Sequence, residues 1–181
     1  YKSNKGLKKA VVKMNDGFSG EGNAIFSYSL ITEDDEVEDQ VRRQMFVQLE
    51  VVANELSYEQ FMKKFNSMGG IVEVFIDGDE KATPSVQCRI GPTGKIDIIS
   101  THDQFMGGRD NQVFLGGSFP ANIEYNVEIG KLTLKIAEIL KEKNVLGRFG
   151  VDFLSVKTND KWEHYAIEIN LRKGGTTHPY I

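Results

Sequence analysis

The sequence predicts an α+β fold on two observations. Strand-like runs follow one another without intervening helices, and three helical patterns are scattered among them. A doubly wound parallel sheet needs regular strand–helix alternation, which is missing. No internal repeat or low-complexity tract interrupts the pattern. The 181 residues suffice for one sizeable core or for two small lobes sharing a cleft.

The elements follow in order. Lys9 to Met14 is a β-branched run that reads as a strand. Asn15 to Asn23 carries glycines at positions 17, 20 and 22, too many for a regular element, and Ala24 to Tyr28 then completes a hairpin. The acidic run Glu33 to Asp39 reads as a solvated turn into a helix with Val41, Met45, Leu49 and Val52 near helical spacing. Ser57, with Gln60 three residues on, is a capping-box signature for a second helix. Ile71 to Ile76 is a strand and Asp77–Gly78 a turn. Strand-like runs Ser85 to Ile90 and Lys95 to Ser100 flank Gly91-Pro92-Thr93-Gly94. Thr101 to Pro120 holds four glycines and is expected to be an extended loop. Asn126 to Lys143 forms a third helix with Leu132, Ile136, Ile139 and Leu140 on one face. Two strands, Gly150 to Val156 and Tyr165 to Leu171, close the chain.

Composition narrows the function classes. Hydrophobic residues make up 40% and charged residues 27%, a globular balance rather than a disordered one. A net charge of -4 gives no reason to expect a nucleic-acid backbone or an anionic membrane as partner, so an acidic ligand must be held by a few placed cations. The single cysteine, Cys88, excludes an internal disulfide and a four-cysteine zinc site. Lying in the apolar run Val86 to Ile90, it reads as a small buried hydrophobe, and a reducing, cytoplasmic setting is the default. No stretch approaches the roughly 20 apolar residues of a membrane span, and no signal peptide is visible. A first residue that is Tyr1, and a last motif that runs into Ile181, read as an excised piece of a longer chain.

The final strand is the most informative segment. Alternation would put Tyr165, Ile167, Ile169 and Leu171 on one face and Glu168, Asn170 and Arg172 on the other. Read as a core strand, it offers oxygen ligands for a hard cation from Glu168 and Asn170, with Arg172 forking an oxyanion. Read as an edge strand, it merely has a charged solvent face. Asp152, between Val151 and Phe153, needs a partner in an apolar run. If the last two strands pair antiparallel, Asp152 and Glu168 face one volume, and two carboxylates with an amide suit Mg2+. A glycosidase-like acid pair is the rival use. Toward the N-terminus, Gly17, Gly20 and Gly22 let backbone amides approach phosphate oxygens, and Lys13 can place an ammonium over them. The terminal Gly-Lys-Ser/Thr of a P-loop is missing. Glu73 to Glu80 is a strand end entering an acidic turn; its free edge can read adenine, or it can be plain surface.

Together and in this order, these segments resemble the ATP-grasp superfamily. Val11-Val12-Lys13 before a glycine-rich loop looks like its phosphate-covering hairpin, and Val72 to Glu80 like its adenine hinge. Val151-Asp152-Phe153 and Glu168-Ile169-Asn170-Leu171-Arg172 look like its metal-binding strands. The fuller strings Asn15 to Ala24 and Asn170 to Pro179 are similar to the peptide-ligase-like branch, which includes the pheganomycin peptide ligase and the IQ-motif-containing H proteins. The resemblance covers nearly the whole chain. It implies two α+β lobes, residues 1–75 with the phosphate loop and residues 76–181 with the metal-binding strands, a nucleotide cleft between them and an upstream pre-grasp domain outside this piece.

The resemblance also implies an ATP- and Mg2+-dependent carboxylate–amine (peptide or amino-acid) ligase acting through an acyl-phosphate. The alternative is a non-catalytic ATP-binding module of a larger protein. Lys13 would contact the phosphates under the loop containing Gly20 and Gly22. Backbone around Glu73, Val74 and Ile76 would hold adenine, and Glu80 the ribose. Asp152, Glu168 and Asn170 would carry Mg2+, while Arg172 would steady the acyl-phosphate or its precursor. Lys13 and Arg172 are thus the expected catalytic pair. Partners would be a small-molecule acid and amine, with no nucleic acid and no membrane. His178 can touch substrate or simply shape the turn before Pro179, and Gly107-Gly108-Arg109 can close over substrate or stay in solvent. His102 and His164 read as loop or surface residues.

Overall fold

The structure, a computed structural model, describes residues 6–15, 22–32, 36–53, 55–107 and 113–180. The chain forms two compact units, one of residues up to Ile76 that also takes in Val113, the other of Asp77–Gly107 and the residues from Phe114 onward. The expected phosphate loop over residues 16–21, including Gly20, and the segment 108–112, including Arg109, lie outside the described residues.

The first unit is a four-stranded antiparallel sheet with two helices. Its elements are β1 (Lys9–Met14), β2 (Asn23–Ser27), α1 (Val37–Gln48), β3 (Leu49–Val51), α2 (Tyr58–Met68) and β4 (Gly70–Val74), in sheet order β3-β2-β1-β4. The β-branched run of β1 sits between β2 and β4, where Val11 pairs with Ile25 on one side and Glu73 on the other. The capping box forms as expected: Ser57 Oγ accepts from Gln60 N–H, and Gln60 Oε1 accepts from Ser57 N–H. That start turns Phe61 inward, against Ala24, Phe26, Ile31, Val37 and Leu49. The first helix, however, stops at Gln48. Leu49 and Val52, expected on its face, lie beyond it, because Leu-Glu-Val pairs as β3 with Phe26, Ile25 and Ala24. Burying Leu49 in a ladder outweighs one further helical turn for a β-branched run.

The second unit is a six-stranded sheet covered on one face by a helix. It comprises β5 (Glu80–Ala82), β6 (Pro84–Ile90), β7 (Ile96–Gly107), β8 (Val113–Ser118), α3 (Asn126–Glu142), β9 (Gly147–Thr158), β10 (Lys161–Asn170) and a short 3-10 helix (Gly175–Tyr180). Five strands run in the order β10-β9-β6-β7-β8, and β5 pairs with β9. Val86, Cys88, Ile90, Phe149, Val151 and Phe153 form the helix-facing side, against Ile129 and Ala137 of α3.

Three expectations change here. Within the expected loop, Thr101 to Gly107 continues β7 and Val113 to Ser118 forms β8. Gly117 permits close packing: a Cβ there would lie 2.9 Å from Asp103 O and 3.3 Å from the His102 ring. The last strand is an edge strand, not a core strand, with Ile167, Ile169 and Leu171 each 44% exposed or more. A bulge at Ile167 also breaks the simple alternation, because Ala166 pairs with Phe153 and Glu168 with Asp152. By register Tyr165 therefore joins the face of Glu168, and Ala166 the face of Ile169.

Candidate functional site

Register assembles the site. Cross-strand partners in an antiparallel ladder point to the same face, so two polar rows cross four strands. One runs Glu168–Asp152–Ser85–His102, and the next Asn170–Gly150–Gln87–Ser100. Both lie on the sheet face opposite α3. The apolar row between them, Ile169–Val151–Val86–Thr101, faces the helix. One strand alphabet, apolar and polar by turns, thus builds a core and a polar floor at once.

The floor opens into a cavity of about 140 Å³ lined by Gln87, His102, Gln104, Asp152, Asn170 and Arg172. Gly150, Gly174, Gly175 and Thr176 also line it. Asp152 accepts Asn170 Nδ2 on Oδ2 at 3.0 Å and Gln104 Nε2 on Oδ1 at 3.2 Å. Gln87 Nε2 donates to Thr176 Oγ1 at 3.2 Å, tying β6 to the turn that follows Arg172. Gly150 makes room for that amide, because a Cβ there would lie 2.9 Å from Gln87 Nε2.

Electrostatics show what the site suits. Burial first, then the negative charge of Glu168, raise the Asp152 carboxyl above its ordinary range, against the pull of Ser85, Arg172 and Asn170. A half-buried carboxylate beside a second acid is a like-charge pair that a hard divalent cation relieves. Among the described residues no three His, Cys, Asp or Glu side chains cluster as metal ligands. The donor set is two carboxylates and the Asn170 amide oxygen, whose nitrogen already points at Asp152. That all-oxygen chemistry fits Mg2+ and is unsuited to zinc.

The remaining expected residues sort by unit. Lys13 and Glu73 of the first unit form an ion pair, and Val74 ends β4, an edge strand whose outer backbone groups are unpaired by any described strand. Ile76 is half-buried, and Gly22 is buried, its carbonyl accepting Met14 N–H at 2.9 Å. Glu80, in the second unit, is exposed on β5 and lies 3.8 Å from Lys157 Nζ. His178 is exposed in the 3-10 helix. The expectation of loop or surface positions for His102 and His164 is corrected. His102 is 1% exposed and stacks on Phe119 at 4.8 Å, and the His164 side chain is equally buried, its Nδ1 2.7 Å from Ser155 Oγ.

Gln87, Gln104, Gly150 and Thr176 are cavity residues that the sequence reading passed over, and His102 is one it read as loop or surface. Their signal was present in Ser100-Thr101-His102-Asp103-Gln104. Thr101 and Asp103 face the helix side, where Thr101 Oγ1 accepts Ala121 N–H and Asp103 accepts Tyr125 OH at 2.7 Å and Asn122 N–H at 2.8 Å. His102 and Gln104 face the cavity. Ending the strand at Ser100 hid this alternation.

Among solved structures, the chain is similar to N5-carboxyaminoimidazole synthetase from Staphylococcus aureus complexed with ADP, with a TM-score of 0.60 and 17% identity over 94% of this chain and 36% of that one. It is likewise similar to the biotin carboxylase domain of the Hydrogenobacter thermophilus 2-oxoglutarate carboxylase, in complex with MgADP, ADP and bicarbonate, at a TM-score of 0.59 and 17% identity. That likeness covers 94% of this chain and 32% of the other. The fold is that of ATP-grasp proteins, and α+β as the sequence implies. The sequence profile of the IQCH-like, ATP-grasp family matches residues 44–174, and the chain belongs to that family. A relative in Streptantibioticus cattleyicolor, an L-propargylglycine--L-glutamate ligase, is 32% identical over 123 residues, 68% of this chain. The chain spans only 24% of that protein's length. No helix among the described residues is long and apolar enough to cross a membrane.

Proposed function

We propose that the protein containing this chain is an ATP- and Mg2+-dependent carboxylate–amine ligase that joins small acids and amines, amino acids among them, through an acyl-phosphate. The observation that carries the reading is the placement of Asp152 and Glu168 as direct cross-strand partners, with Asp152, Asn170 and Arg172 lining one polar cavity. Family membership and the ligase relative support it. In this reading the substrate carboxylate takes the γ-phosphoryl group and ADP leaves. The amine nitrogen then attacks the acyl carbon, phosphate departs and the nitrogen loses a proton.

The residues of the chain act mainly by position and charge. Asp152, Glu168 and Asn170 hold Mg2+, which when bound neutralises phosphate charge. Arg172 forks the oxyanion of the acid or its phosphate. Lys13 supplies a cation to the phosphates, and backbone amides at Gly20 and Gly22 would approach their oxygens. Val74, Ile76 and the Glu73 backbone read adenine, and Glu80 the ribose. Cys88, buried and free, suits a reducing, cytoplasmic setting. No nucleic acid or membrane partner enters the proposal.

The test uses the full-length protein with Mg·ATP and pooled amino acids, following ADP release and new peptide masses. The expected result is amine-dependent ADP release with a product mass, lost in Glu168→Gln and Lys13→Ala variants whose circular dichroism is unchanged. Wild-type ADP release by Glu168→Gln overturns the metal assignment. ATP binding without turnover under any acid and amine identifies a binding module instead.

A further inference from the structure

Gln104 lies on β7, two strands from Asp152, with β6 between them. Its amide nonetheless reaches the carboxylate, Nε2 donating to Oδ1 at 3.2 Å. The path is open because β6 presents only a serine there: Ser85 is the register partner of both Asp152 and His102. A glutamine two residues beyond His102 on the same face is long enough to cross so short a side chain. From the opposite flank Asn170 Nδ2 holds Oδ2 at 3.0 Å. Each oxygen of Asp152 is thus gripped by one neutral amide.

We propose that Gln104 is a positioning residue for Asp152, keeping that carboxylate turned to share a divalent cation with Glu168. The inference rests on the metal reading above. Rotation of the Asp152 side chain would turn its oxygens away from a cation shared with Glu168, and two N–H donors, one on each oxygen, fix the plane of the carboxylate. A neutral amide does this without cancelling the charge that attracts the cation; a lysine or arginine would compete with it. The side chain is not needed to hold β7 in the sheet, because Gln104 N–H already bonds Thr83 O at 3.2 Å.

The experiment titrates Mn2+ into the full-length protein with ADP present, reading free Mn2+ by electron paramagnetic resonance. Two variants are compared with wild type: Gln104→Met, which keeps length without a donor, and Gln104→Asn, which retracts the amide by one methylene. Either folded variant is expected to weaken Mn2+ binding about 10–100-fold, with metal-free ADP affinity within about twofold of wild type. Wild-type Mn2+ affinity in both overturns the proposal. So does an equal fall in metal-free ADP affinity, which marks a merely structural role. Glu168→Gln separates the two levels. If it too keeps Mn2+ affinity, the metal reading itself fails; if it alone loses affinity, only the role of Gln104 fails.

Discussion

Two buried residues carry testable chemistry of their own. Burial holds His102 neutral and lowers its pKa to about 4, from roughly 6.5 in an unfolded chain. A depressed pKa of this kind stabilises the fold above pH 6.5 and loses that contribution as pH falls toward 4. The loss is on the order of 3 kcal/mol. His102→Phe, which keeps a ring against Phe119, is therefore expected to flatten the fall in melting temperature between pH 7 and pH 4; an unchanged slope contradicts the assignment. Burial likewise pushes the Cys88 thiol up to about 11. A maleimide should label it only after denaturation, and rapid labelling of native protein would place it outside the core. At this scale the acids were readable in sequence because an aspartate inside an apolar run demands a partner. Gln104 and Gln87 were not, since an amide in a strand carries no such demand until its neighbours are known.

Elements were legible where local chemistry dominates and obscured where pairing decides. The capping box at Ser57 predicted where α2 begins, and Ser57→Ala should cost about 1 kcal/mol in urea unfolding. Leu49 and Val52 satisfied helical spacing yet left the helix, because β2 offers Leu49 a ladder partner that spacing cannot reveal. Glycine density misled over residues 101–120, where Gly117 serves strand approach. Gly117→Ala is expected to destabilise the second unit by roughly 1–3 kcal/mol, since its Cβ would press on Asp103 O; a neutral result would mean β8 sits further from β7 than described. The bulge at Ile167 was invisible for the same reason, as register exists only between strands.

For the molecule as a whole, the α+β class and the order of motifs were readable because each motif combines a residue type with a strand or turn position. The polar floor was not, for it exists only once four strands align two rows of side chains. Within the first unit, Lys13 meets Glu73; within the second, Asp152, the amides and the guanidinium line one cavity, with Glu168 the cross-strand partner of Asp152. That second constellation is the centre of the functional account. The direct test is a crystal structure of the full-length protein with Mg2+ and ADP. The account predicts the cation between Asp152 and Glu168, with the Asn170 oxygen in reach and ligand distances of about 2.0–2.1 Å. A cation bound elsewhere, with both carboxylates turned to bulk water, contradicts it.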